Sequence, residues 1–200
     1  MKKFAIALLV ITIGIGGFAV GRANSSQEAF QSSATQTQEP AVPDSTFISG
    51  EPTDPQAALV WKALMDPTGE YAALAMYTAV IDQYGEVEPY VSIREAEQKH
   101  IDALIRQLTN YGISVPENPY LESATAPSDL QAAASAWATG EVENVALYDE
   151  LLTKATDSNL VRVFTNLRRA SLEMHLPMFE AAAQNGGQLT SDQMAQYMHG

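Results

Sequence analysis

From residue 56 onward the apolar positions recur at three- and four-residue spacings, the period of amphipathic helices packed against one another. Residues 56–65 read as a short helix, and Asp66-Pro67-Thr68-Gly69 punctuates it. Asp66 as N-cap with Pro67 in the first helical position predicts a restart there. That first long helix runs through EYAALAMYTAVIDQY and stops at Gly85. A second is predicted from about Glu88-Pro89 through YVSIREAEQKHIDALIRQLTNY to Gly112, a residue suited to a helix stop. Three prolines between 115 and 127 mark a connection. A third helix begins at Ser128 and carries DLQAAASAWATGEVENVALYDELLTKA. The fourth opens near Asp157-Ser158 and runs to Asn185, where Gly186-Gly187 ends it. The tail, 188–200, has room for one short helix. No segment alternates with period two, so no strand is expected. Four long helices with two short turns and one longer connection describe an all-α, antiparallel four-helix bundle over residues 54–187.

The first 53 residues have a different texture. Met1, Lys2 and Lys3 precede an uncharged apolar run, FAIALLVITIGIGGFAVG, with small residues at Gly21-Arg22-Ala23. Residues 1–23 therefore read as a secretory signal peptide, or, since the run is nearly long enough to span a bilayer, an uncleaved N-terminal anchor. Either reading places the rest of the chain outside the cytoplasm: secreted, periplasmic or membrane-anchored and facing outward. Residues 24–53 are rich in Ser, Thr, Gln and Pro, without sustained periodicity. They read as a disordered linker, because such a segment buries too little apolar surface to offset its ordering entropy.

Charge and cysteine content narrow the chemistry. Formal net charge is −13, and losing Lys2, Lys3 and Arg22 with a leader would leave 8 basic against 24 acidic residues, or −16. Nucleic acid is an unsuitable partner for so acidic a surface, and contact with a membrane is expected only through the N-terminal segment if it is uncleaved. The chain has no cysteine. That excludes disulfides, thiolate zinc sites, cysteine-ligated iron–sulfur clusters and a lipoprotein anchor, leaving oxygen and nitrogen as the ligands for any metal.

The informative motif lies in the second long helix, Arg94-Glu95-Ala96-Glu97-Gln98-Lys99-His100. Glu97 and His100, at i and i+3, project from one face and can ligate one ion. Ile93, Ile101 and Leu104 turn that face inward, where an unpaired carboxylate would be costly. An E-x-x-H pair alone also occurs on polar helix surfaces, so its neighbours matter. Glu70 shares the apolar stripe of Leu74 and Tyr77. Glu141 continues through Val145 and Tyr148. His175 lines up with Phe164, Arg168 and Phe179. Counting residues around the turns puts Glu141 about one turn from His175, and Glu70 one or two turns beyond Glu97 and His100. Glu143 replaces Glu141 if the third helix is rotated. Tyr77 and Tyr148 read first as ordinary bundle aromatics, with hydrogen bonding to ligating carboxylates as the alternative. Met174 and Met178 read as core, Arg168 and Arg169 as partners of helix carboxylates. Pro177 should kink the fourth helix just beyond His175.

Taken together, GEYAALAMYTAVIDQYG, IREAEQKHIDALIRQLTNYGI, GEVENVALYDELL and NLRRASLEMHLPMFEAA resemble the ferritin-like superfamily, in a domain-of-unknown-function branch related in fold to rubrerythrins. The similarity covers about 130 residues and touches all four helices. It implies a metal site built from Glu70, then Glu97 with His100, then Glu141, then His175. Iron, as one or two ions, or manganese is the implied cofactor, with zinc also compatible. The implied chemistry is ferroxidase, peroxide reduction or another oxidation. The fourth helix departs from the pattern: Leu172 stands three residues before His175 where a second bridging Glu is expected, and Glu173 lies on another face. A mononuclear or asymmetric site thereby becomes an option. Metal ions are the expected partners, and a homodimer is left open. The competing reading is a catalytically inactive helical-bundle module that binds or builds in the cell envelope.

Overall fold

The computed structural model describes residues 48–197; the whole leader reading and the linker reading up to residue 47 lie outside them. The described chain is mostly helical, as the periodicity predicts. Its elements are β1 (Ile48–Ser49), α1 (Pro55–Met65), α2 (Glu70–Tyr84), α3 (Tyr90–Asn110), β2 (Ile113–Ser114), α4 (Leu130–Leu152), α5 (Ser158–Ala170), a π turn (Ser171–His175), α6 (Leu176–Gln184) and α7 (Ser191–Met194). Among the described residues no helix is long and apolar enough to cross a membrane.

Two local departures from expectation have simple causes. A parallel pair, Ile48 with Ile113 and Ser49 with Ser114, forms where no strand is expected. Two residues per strand are too few to show alternation in sequence. The second departure is the start of α2. Asp66 does not cap it; its Oδ1 accepts from the backbone N–H and the hydroxyl of Thr68 (3.0 and 2.9 Å), closing a tight turn instead. The helix therefore begins three residues later, at Glu70, with Gly69 as its N-cap. A Cβ on Gly69 would stand 2.4 Å from the carbonyl oxygen of Ala63, so only glycine permits this approach of α1 to α2. Asp129 and Asp157 cap α4 and α5 through side-chain oxygens.

The connection after β2 is pinned down over the α1–α2 corner. The Tyr120 hydroxyl donates to Met65 O at 2.6 Å, the Asn118 amide to Tyr71 O at 2.7 Å, and the Tyr71 hydroxyl to Pro116 O at 3.0 Å. The residues around Glu70 are thus held from both sides.

The apolar interior divides in two. One core gathers Leu64, Leu104, Leu108, Tyr148, Leu151, Leu160 and Phe164 from α1, α3, α4 and α5. The other gathers Tyr77, Val80, Tyr90, Ile93, Trp137, Met178 and Phe179 from α2, α3, α4 and α6. Along α3, Glu97 falls between Ile93 of one core and Ile101 of the other; along α4, Glu141 falls between Trp137 and Leu147. A buried polar layer separates the two cores.

The fourth helical run is interrupted by a π turn over Ser171–His175, just before the place where Pro177 is expected to kink it. Pro177 has no N–H, and its ring would crowd the carbonyl four residues back. The chain widens instead: the Leu176 N–H bonds to Ser171 O, five residues back.

The two interior glycines give opposite expectations. Gly69→Ala should destabilise the protein by about 1–3 kcal/mol in chemical denaturation, because its new methyl meets backbone that cannot yield. Gly140→Ala, in the middle of α4 with open space around it, should stabilise by roughly 0.5–1 kcal/mol.

Candidate metal centre

All five residues singled out from the sequence meet in the polar layer. Glu70, Glu97, Glu141 and His175 are buried, and the His100 side chain is 12% exposed. They form two triads that share one member: Glu70, Glu97 and His100, and Glu97, Glu141 and His175. In each triad one potential ligand atom per residue lies within 4.8 Å of the others, and either group can hold a metal ion. His100 Nδ1 stands 2.8 Å from Glu97 Oε2 and 3.4 Å from Glu70 Oε2. His175 Nδ1 stands 3.1 Å from Glu97 Oε1 and 3.6 Å from Glu141 Oε1. The two oxygens of Glu97 thus face opposite imidazoles, whose rings lie 5.5 Å apart and 23° from parallel.

Each outer carboxylate is gripped by a tyrosine from the opposite helix. Tyr77 of α2 donates to Glu141 Oε1 at 2.6 Å, and Tyr148 of α4 donates to Glu70 Oε1. The expectation that these rings are only packing aromatics is therefore corrected; the alternative was the right one. A signal for it stands in the sequence. Gly69-Glu70 is followed by Ala75-Met76-Tyr77, and Gly140-Glu141 by Ala146-Leu147-Tyr148, the same pattern at the same spacing. Two helical turns separate Glu from Tyr in both, so each helix supplies a carboxylate and, farther along the same face, the donor for the other's carboxylate.

The remaining sequence choices also resolve. Glu143 is exposed, and Glu141 faces the layer. Arg168 pairs with Asp149, its Nε 2.6 Å from Oδ1. Met178 is core, but Met174 is 41% exposed, because the π turn carries Leu172, Glu173 and Met174 outward together. Within the wider turn the residue sharing His175's buried face is Ser171, four before it. Its hydroxyl donates to Asn144 Oδ1 at 2.9 Å, and the Asn144 amide donates to Thr68 O at 3.0 Å. Neither residue stands out in the sequence, where Ser and Asn in helices are commonplace.

The electrostatics suit a cation. Burial, followed by the charge of Glu97, pushes Glu70 up from 4.5 to about 8. Burial acts on Glu97 in the same direction, but His100, Glu70 and His175 outweigh it and hold it well below the ordinary carboxylate range. Burial would lower both histidines; Glu97 and Glu70 raise His100 well above 6.5, and Glu97 and Glu141 raise His175 to about 10. Burial and the neighbouring carboxylates keep both tyrosines protonated, as donors. Even so the pairing is incomplete. Among the buried atoms without an aligned hydrogen-bond partner are the Trp137 Nε1 donor and three atoms of the triads, Glu70 Oε2, Glu141 Oε2 and His175 Nδ1. Each such atom costs about 1–3 kcal/mol. These three triad atoms could engage a divalent ion in each triad once His175 gives up its proton. The donor set fits the group.

No protein-family model matches the chain, and no curated protein or solved structure does either.

The metal-free protein should lose stability as pH rises. Glu70 has a folded value, about 8, above its ordinary 4.5, so stability is lost as pH climbs between them; His175 acts likewise between 6.5 and about 10. Melting temperature measured after chelation should therefore fall from about pH 6 to about pH 9, and a rise across that window contradicts the assignment.

Proposed function

We propose that the protein is an exported metal-binding protein of ferritin-like, four-helix-bundle architecture, whose polar layer holds two divalent ions with Glu97 as their shared ligand. The observation that carries this reading is the pair of Glu–Glu–His triads meeting at one carboxylate. Glu70 and His100 complete one position, Glu141 and His175 the other. Three carboxylates and two neutral imidazoles bring three negative charges toward the four positive charges of two divalent ions, leaving room for an exogenous anion. Mixed oxygen and imidazole donors suit iron or manganese, and zinc is compatible. Tyr77 and Tyr148 fix the direction of the outer carboxylates, the kind of support on which metal affinity depends.

A redox-active pair of ions would supply one-electron chemistry toward oxygen or peroxide, consistent with an oxidase, ferroxidase or peroxide-reducing role. The chain's own contribution is to bind, to orient, and to keep the site dry between two apolar cores. Placement outside the cytoplasm rests on Lys2, Lys3 and the apolar run after them. A second reading, an inactive binding or structural module of the cell envelope, is favoured by one observation: among the described residues Glu97 alone belongs to both triads, and Leu172, three before His175, is an exposed leucine.

Loading the full chain anaerobically with Fe(II) or Mn(II), desalting and counting metal tests the proposal. Two ions per chain are expected, falling to one in His100→Ala and one in His175→Ala, and to none in Glu97→Ala. Because the imidazoles must give up their protons to bind, affinity should rise with pH, opposite in sign to the stability of the metal-free protein. No retained metal in the unaltered protein contradicts the proposal. Two ions without oxygen or peroxide consumption would favour the second reading of the activity.

A further inference from the structure

The π turn and the pair that anchors it go beyond ligand counting. Asn144 lies on α4 between Glu141 and Tyr148, is buried, and hydrogen-bonds to neither imidazole in the bonds seen. Its amide reaches the carbonyl of Thr68, two residues before Glu70, and its carbonyl receives the Ser171 hydroxyl. One side chain thus joins the three segments that carry Glu70, Glu141 and His175. Ser171 is the only residue of the π turn other than His175 that is buried.

An ordinary α-helical turn would put Leu172, at i−3, on the face of His175. That would place an isobutyl group beside Glu97 and Glu141. Ser171, at i−4, shares that face in either geometry, and the wider turn keeps it there while sending Leu172 outward to 38% exposure. Pro177 makes the widening favourable but does not fix which residue turns inward. The Ser171 hydroxyl, bonded to Asn144 Oδ1, faces inward.

We infer that Asn144 and Ser171 form a positioning lock for the second ion: the hydrogen bond sets the register of the π turn and so aims His175 at Glu97 and Glu141. This rests on the two-ion reading above. The residues act through His175, so their effect is on one ion and not on the other.

A double-mutant cycle with Mn(II) alone as the probe, on the full chain, tests it. Ser171→Ala should weaken one of the two ions by about tenfold or more, the range typical for loss of a residue that orients a ligand, and leave the other unchanged. Ser171→Thr, which keeps the hydroxyl, should restore it. In the His175→Ala background, Ser171→Ala should leave the affinity of the remaining ion unchanged, because the residue it orients is gone. Two ions bound by Ser171→Ala as tightly as by the unaltered protein overturn the inference. So does an equal loss in the His175→Ala background, which is the signature of a merely structural role. Failure of the unaltered protein to bind Mn(II) at all overturns the two-ion reading itself, and the lock with it.

Discussion

The carboxylate of Glu97 sits in a layer with apolar side chains above and below it, and an imidazole opposite each of its oxygens. Burying a lone carboxylate so deeply is prohibitive unless cations or strong donors compensate. Here the compensation comes from two histidines on different helices, and this fixes the relation between α3 and the fourth helical run. The outer carboxylates are subject to the same demand. Each is met by a tyrosine of the opposite helix, so α2 and α4 are tied in both directions. Removing Tyr77 or Tyr148 would leave a buried carboxylate oxygen without its donor.

The shape of the backbone follows from that layer. Gly69 lets α1 approach closely enough for α2 to begin at Glu70. The pinned connection holds the same corner from outside. Pro177 prevents the fourth run from continuing as a regular helix, and the chain responds with a wider turn whose register is held by Ser171 and Asn144. Each feature places one of the five clustered residues. A metal-free layer satisfies most of its polar atoms with protons and hydrogen bonds, yet leaves three triad atoms without aligned partners. A cation in each triad would engage those atoms, and the two Glu–Glu–His groups could hold one each.

Much of this was legible in the sequence. Helical periodicity and glycine stops placed the long helices within a few residues, because those signals are local. The five clustered residues were legible because a carboxylate or imidazole in an apolar stripe is conspicuous. What was not legible depended on contacts between distant segments. Asp66 looks like an N-cap until its side chain is seen closing a turn with Thr68. Met174 fits a core stripe only if the fourth helix stays regular, and the π turn removes that condition. Tyr77 and Tyr148 could have been assigned sooner from the repeated Gly-Glu and Tyr spacing in α2 and α4. Ser171 and Asn144 carried no signal, because their importance comes from a hydrogen bond between helices.

The claim that Glu97 serves two ions at once is tested most directly by electron paramagnetic resonance of the protein carrying two equivalents of Mn(II). Ions that share a carboxylate are close enough to couple. The account predicts that the six-line signal of isolated Mn(II) gives way to a multiline pattern with half the hyperfine spacing. Persistence of the six-line signal at full loading, whether from one ion or from two independent ones, would contradict it.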